Sequence, residues 1–145
     1  DRPFLMFLID TNVISEFRKI HAGKADANVT RWSDKTSPSD MFLSAITILE
    51  LEIGILRLSR RDGSQAIQFR TWLTDYILPV FIGQIIPVNA EVAQVCAAYH
   101  VPDPAPFRDS LIAATAQVHG LTVVTRNPAD FLRCGVPILN PWLPH

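Results

Sequence analysis

A set of short, unbroken apolar runs, most ending in a polar residue, constrains this chain more than any other feature. "FLMFLI" (residues 4–9) runs straight into Asp10, "MFL" (41–43) into Ser44, and "LTVV" (121–124) into Thr125, while "IIPVN" (85–89) and "VPIL" (136–139) are shorter versions of the same pattern. A strand with water on one face alternates polar and apolar side chains. A strand that is apolar throughout is covered on both faces, as in a parallel sheet with helices above and below.

Helical patterns fill the intervals. "DTNVISEF" is a turn leading into a helix, and Ser44 is placed to N-cap the long apolar-rich segment "AITILELEIGILRL". In "AIQFRTWLTDYIL", Ala66, Phe69, Leu73, Tyr76 and Ile77 form one core-facing stripe, which Pro79 is expected to end. Asn89 caps "AEVAQVCAAYH". The proline-rich "VPDPAPF" is a stiff loop delivering "RDSLIAATAQVHG", which Gly120 closes. "NPADFL" reads as a short helix with Asn127 at its N-cap and Pro128 in the first helical position. Residues 22–38 read as a loop. Strands alternating with helices predict an α/β fold, a mainly parallel twisted sheet flanked by α-helices, in one domain spanning 1–145. Residues 1–5 read as an extension ahead of a start at Met6.

Composition narrows the function classes. A formal net charge of −1 and a pI near 6.5 lack the strong positive field of a duplex-DNA binder, so a polyanionic partner has to be met locally or through bound cations. Cys96 and Cys134 lie far apart with no zinc-ligand spacing, which fits a reducing, cytoplasmic setting. No apolar run reaches the roughly 20 residues of a membrane helix, and no signal peptide is recognisable.

In an open parallel sheet the functional crevice lies outside the carboxyl ends of the strands. Asp10 follows the first strand, Glu50 lies on the helix after the second, Asp109 begins the helix after the proline loop, and Asp130 follows "LTVVT". Four carboxylates at one end of a sheet repel: two charges about 4 Å apart cost on the order of 4 kcal/mol at an effective dielectric near 20. Bound cations turn that cost into attraction, and oxygen-only ligands select hard ions such as Mg²⁺ or Mn²⁺ over zinc. Acid-held metal of this kind suits phosphodiester hydrolysis, in which it activates water and neutralises charge on the phosphate.

Each acid also has a plainer role. Asp10 could cap the following helix, Asp109 could complement a helix dipole, and Asp130 could close a capping box with Asn127. Glu50 competes with Glu52, but two helical residues are about 200° apart, so both cannot face the site. His21, His100, His119 and His145 are scattered and read as surface or core residues; Trp32, Trp72 and Trp142 read as packing. Arg18, Arg108 and Arg126 are candidate phosphate contacts, with Lys19 read as solvated charge.

"FLIDTNVISEF", "SAITILELEIGI", "RDSLIAATAQVHGLTVVTRNPADF" and "GVPILNPW", in that order, resemble the PIN-domain ribonucleases, and among them the VapC/FitB-like toxins of type II toxin–antitoxin (VapBC) pairs. The resemblance spans nearly the whole chain. It implies that Asp10, Glu50, Asp109 and Asp130 are the catalytic, metal-holding acids, with Glu50 preferred over Glu52. Thr11, Asn12, Ser44, Thr125, Arg126 and Asn127 would be polar support near the metal and substrate. It further implies an Mg²⁺- or Mn²⁺-dependent endoribonuclease leaving 5′-phosphate and 3′-hydroxyl ends, usually dimeric, and inhibited by a VapB/FitA-like antitoxin segment entering the acidic groove. Two other classes compete with it. One is a phosphatase-like domain with Asp10 as nucleophile, although Asn12 stands where such enzymes want a second Asp. The other is a non-catalytic acidic groove that binds a basic partner protein.

Overall fold

A computed structural model describes residues 5–144, so the expected extension at 1–5 lies almost wholly outside the described residues. Five strands form one parallel sheet: β1 (Phe7–Ile9), β2 (Met41–Ser44), β3 (Ile85–Ile86), β4 (Thr122–Val124) and β5 (Ile138–Leu139), in the spatial order β3-β2-β1-β4-β5. The register sets Leu8 beside Phe42 and Val123, and Ile9 beside Val124. Strand order reverses between β1 and β4, the position where open α/β sheets leave a crevice at their carboxyl edge.

Alternation along β1 explains its unbroken apolar sequence. Phe7 and Ile9 point to a core shared with Val13 and Ile14 of α1 (Thr11–Phe17), Trp32 of α2 (Ala27–Lys35), and Leu51 and Ile55 of α3 (Ala45–Ser59). Leu8 and Val123 point the opposite way, onto Ile112, Ala113 and Ala116 of α7 (Phe107–His119) and onto Phe131. Both faces are covered, as a continuous apolar strand requires. A further helix, α6 (Ala90–Ala98), packs Val92 and Cys96 against Ala114 of α7.

Several local signals act as expected. The Ser44 hydroxyl accepts from the Ile46 N–H at 3.0 Å, Asn89 Oδ1 accepts from the Val92 N–H at 3.0 Å, and Gly120 adopts φ +66 at the end of α7. Others differ. The first strand begins at Phe7, and Leu5 and Met6 ahead of it are exposed. The expected loop at 22–38 contains α2, whose N-cap Asp26 accepts from the Asn28 and Val29 N–H groups. Only Val29 and Trp32 of α2 are buried, too few apolar positions to set a helical period.

The helix beginning at Gly63 continues past the expected stop. α4 (Gly63–Trp72) passes through a π-helical turn (Leu73–Ile77) into α5 (Leu78–Val80), which contains Pro79. The Leu78 N–H reaches back to the Leu73 carbonyl, and this wider turn replaces the regular ladder just where proline has no N–H to offer. The extra residue rotates the apolar stripe: Leu73 and Ile77 are buried, whereas Tyr76, expected on that stripe, is 46% exposed. Among the described residues no helix is long and apolar enough to cross a membrane.

Candidate active site

Asp10 sits where β1 ends and α1 begins, at the sheet's switch point. Its backbone N–H completes the ladder to Val124 at 2.9 Å, and its carbonyl accepts the first helical bonds from Val13 and Ile14. The side chain is buried, and both of its oxygens have donors. Oδ1 accepts from the Thr11 N–H at 2.8 Å, and Oδ2 accepts from Thr125 Oγ1 at 2.8 Å and Asn12 Nδ2 at 3.4 Å. The residue thus caps α1 while its carboxylate also takes the Thr125 hydroxyl and the Asn12 amide. Burial still dominates and pushes the Asp10 carboxyl above its ordinary range; the Thr125 and Thr11 hydrogen bonds oppose the shift, and the charges of Glu50 and Asp130 add to it.

Thr11 links Asp10 to the next acid. Its hydroxyl donates to Glu50 Oε1 at 2.6 Å, and Arg108 Nη1 lies 3.6 Å from Glu50 Oε2. Glu52 faces elsewhere, its carboxylate forked by the Arg70 guanidinium, as the helical rotation between the two glutamates requires. The choice of Glu50 thus has a geometric reason.

Asp109, in the first turn of α7, is the most perturbed of the four. Burial, followed by the charges of Asp130, Asp10 and Glu50, pushes it up to about 6 against the opposing pull of Arg108. Each of the other acids therefore lies close enough to be felt at Asp109. Asp130 is exposed and occupies a 3-10 segment (Pro128–Cys134), so the anticipated capping box is absent: the Asn127 side chain makes no capping bond. Instead the Asn127 N–H donates to Thr125 Oγ1 at 3.1 Å, and the Asp130 N–H to the Asn127 carbonyl at 3.1 Å. The tighter i to i+3 winding fixes that segment without the side-chain pair.

The other candidates divide in two. Thr125 is fully buried and bridges Asp10 to the Asn127 backbone, while Asn12 Oδ1 accepts from the Arg126 N–H at 3.2 Å. Ser44 is buried as the cap of α3, with its hydroxyl on Ile46 rather than on an acid. The Arg126 guanidinium stacks over Trp142 at 4.9 Å and that of Arg18 over Phe69 at 3.8 Å; Lys19 pairs with Glu16 at 3.2 Å. Arg108 was expected near the phosphate, but its pairing with Glu50 was not, because that link joins α3 to α7 and leaves no local pattern.

The donor set is oxygen-only and mutually repelling, which favours a hard divalent cation. As the side chains stand, no three such groups among the described residues converge into a ready cage. Mg²⁺ does not need one, since it commonly keeps several waters and takes one or two carboxylates directly. A cavity of about 260 Å³ opens beside Thr11 and Glu50, walled by Leu51, Ile55, Phe69 and Trp72. A larger one, about 390 Å³, lies among Phe17, His21, Asp34, Tyr76 and Phe81 and touches none of the four acids.

Comparison with known proteins agrees with this fold. The PIN domain family model matches residues 7–135. Toxin FitB of Neisseria gonorrhoeae is 37% identical over 143 residues, covering 94% of this chain and 99% of that protein. VapC ribonuclease Y4jK of Sinorhizobium fredii is 33% identical, covering 96% and 99%. The crystal structure of FitAcB from Neisseria gonorrhoeae superposes with a TM-score of 0.84 at 36% identity, over 94% of this chain and 99% of that one. With the fold and nearly full-length similarity in agreement, this chain belongs to the PIN domain family.

Proposed function

We propose that the protein is a divalent-metal-dependent endoribonuclease, the toxin of a toxin–antitoxin pair, with the whole chain forming one PIN domain. The observation that carries this reading is Asp10 at the sheet's switch point, joined through Thr11 to Glu50 and through Thr125 to the backbone of Asn127 ahead of Asp130, with Asp109 at the start of α7 near enough to feel all three charges. The names of the relatives support the two halves of the reading, one a toxin and one a ribonuclease. Asp10, Glu50 and Asp109, with Asp130 beside them, would hold Mg²⁺ or Mn²⁺, which when bound would supply the positive charge that a polyanionic substrate needs here and a Lewis acid for water and phosphate.

The chain's own residues prepare the site. Thr125, Thr11 and Asn12 fix the orientation of Asp10 through hydrogen bonds to both oxygens, and Thr11 also holds Glu50. Arg108, half-exposed beside Glu50, is placed to meet a phosphate oxygen. Hydrolysis leaves a 5′-phosphate and a 3′-hydroxyl. Phosphoryl transfer onto Asp10 is disfavoured because Asn12 stands two residues on, where Asp-nucleophile phosphatases want a second Asp. A cognate antitoxin inhibits by placing a basic side chain among the acids, in the manner of Arg108 on Glu50, and the active form is a cytoplasmic homodimer.

The test is incubation of purified, partner-free protein with structured and single-stranded RNAs, with Mg²⁺, Mn²⁺ or excess EDTA, beside Asp10→Asn. That variant keeps the side chain's shape and removes its charge, so cleavage is expected to fall to background while circular dichroism stays native. Undiminished cleavage in EDTA or in Asp10→Asn would refute the mechanism.

A further inference from the structure

The loop between α6 and α7 is fastened from both sides. Outside, one guanidinium gathers three of its carbonyls: Arg133 Nη2 donates to Tyr99 O at 3.1 Å and Asp103 O at 2.8 Å, and Nη1 donates to Pro104 O at 3.1 Å. Inside, the Ala105 N–H donates to His100 Nδ1 at 3.3 Å, and His100 Nε2 lies 3.0 Å from Ser110 Oγ. Ser110 Oγ in turn donates to the Pro106 carbonyl at 2.8 Å. The ring of Phe107 lies against that of His100, 4.7 Å between centroids.

The two elements joined in this way each carry an acid of the candidate site. The loop feeds α7, with Asp109 in its first turn, and Arg133 belongs to the 3-10 segment that begins near Asp130. That segment is held by the buried Phe131 on one side and by the Arg133 fork on the other. Exposed loop carbonyls are ordinarily satisfied by water. Three of them on one planar fork instead lock two segments in register, which a lysine, as a single point charge, cannot reproduce.

We infer that Arg133 is a positioning residue for the acidic site: by tying the 99–106 loop to the 128–134 segment, it sets the spacing of Asp109 and Asp130 and hence the affinity for a divalent cation. The inference rests on the metal-dependent reading proposed above.

The test is Mn²⁺ binding to the full-length protein without RNA, followed by the electron paramagnetic resonance signal of free Mn²⁺. Arg133→Gln is expected to weaken Mn²⁺ affinity by up to about tenfold, the lower bound for a partner hydrogen-bonded to a ligand, since Arg133 bonds loop carbonyls and not a ligand itself, while retaining native circular dichroism. Arg133→Lys is expected to recover part of it. Unchanged affinity in Arg133→Gln overturns the inference, as does a loss of binding that merely tracks loss of helical signal. Should Arg133→Gln fail to fold, Arg133→Lys decides: an intermediate affinity supports the role and the wild-type value overturns it. Wild-type protein that binds no Mn²⁺ refutes the metal reading itself, whereas wild-type binding unaltered in the variants refutes only the role of Arg133.

Discussion

Asp109 offers the sharpest test of the burial and like charge that the fold places on an acid. Its carboxyl is raised from 3.8 to about 6 by burial and then by the charges of Asp130, Asp10 and Glu50. Between about pH 4 and pH 6 the folded protein therefore binds more protons at this site than the unfolded chain does, so stability falls as pH rises through that window. The penalty is absent below the unfolded value and complete above the folded one. Roughly two pKa units correspond to an upper figure of about 3 kcal/mol; because the group is partly open to solvent, screening brings this to about 1–2 kcal/mol. Asn carries no charge at any pH, so Asp109→Asn is expected to be more stable than wild type by about that amount near pH 7.5 in EDTA and equally stable near pH 4. For a domain of this size the difference appears as a rise of about 2–6 °C in Tm. Thermal melts across the pH range with EDTA measure it. Millimolar Mg²⁺ is expected to narrow or invert the difference, since a ligand bound only by the folded wild type stabilises it by mass action. An advantage that is missing at pH 7.5, or equal at both pH values, would show that Asp109 is not under like-charge pressure and would remove the argument for a shared cation pocket.

Two further substitutions probe the supports. Thr125→Val removes the hydroxyl between Asp10 Oδ2 and the Asn127 N–H and leaves a buried carboxylate oxygen short of a donor; urea unfolding is expected to show a loss of about 1–3 kcal/mol, and a change below about 0.5 kcal/mol would contradict the bridging role. Glu52→Gln is expected to leave RNA cleavage intact and to change stability by less than about 1 kcal/mol, because its partner Arg70 is well exposed; loss of cleavage would transfer the helix-acid role from Glu50 to Glu52.

What was legible in the sequence follows from the range of the forces involved. β1, β2 and β4 were readable because burial on two faces writes an unbroken apolar run, and the position of Asp10 at the end of one such run was readable with them. Caps at Ser44 and Asn89 and the left-handed Gly120 are local chemistry, expressed within a few residues. α2 was missed because only Val29 and Trp32 reach the core, although Asp26 was a usable start signal. Pro79 misled because a π turn absorbs its missing donor, an adjustment made inside a helix whose packing is set by Leu73 and Ile77. Arg108 on Glu50 and Arg133 on the 99–104 carbonyls were invisible for a different reason: each joins segments far apart in the chain, and neither leaves a periodicity.

The same division explains how a site of repelling charges can be assembled by the fold itself. A cluster of carboxylates drawn together only by cations would have few protein donors of its own. Here Asp10 has donors on both oxygens, from Thr11, Asn12 and Thr125, and Glu50 has Thr11 and Arg108. Those contacts come from residues adjacent to Asp10 in the chain, from the neighbouring strand end and from the helix that crosses the pocket, so folding the sheet delivers them automatically. Asp109 is pushed up to about 6 chiefly by burial, with the charges of Asp130, Asp10 and Glu50 adding to it. The fold thus holds Asp10 and Glu50 in place through protein hydrogen bonds and leaves Asp109 to gain most from whatever positive charge arrives, a metal ion or the basic side chain of a partner. An inhibitor of opposite chemistry to the substrate and a cation required by the substrate would then compete for the same unsatisfied group.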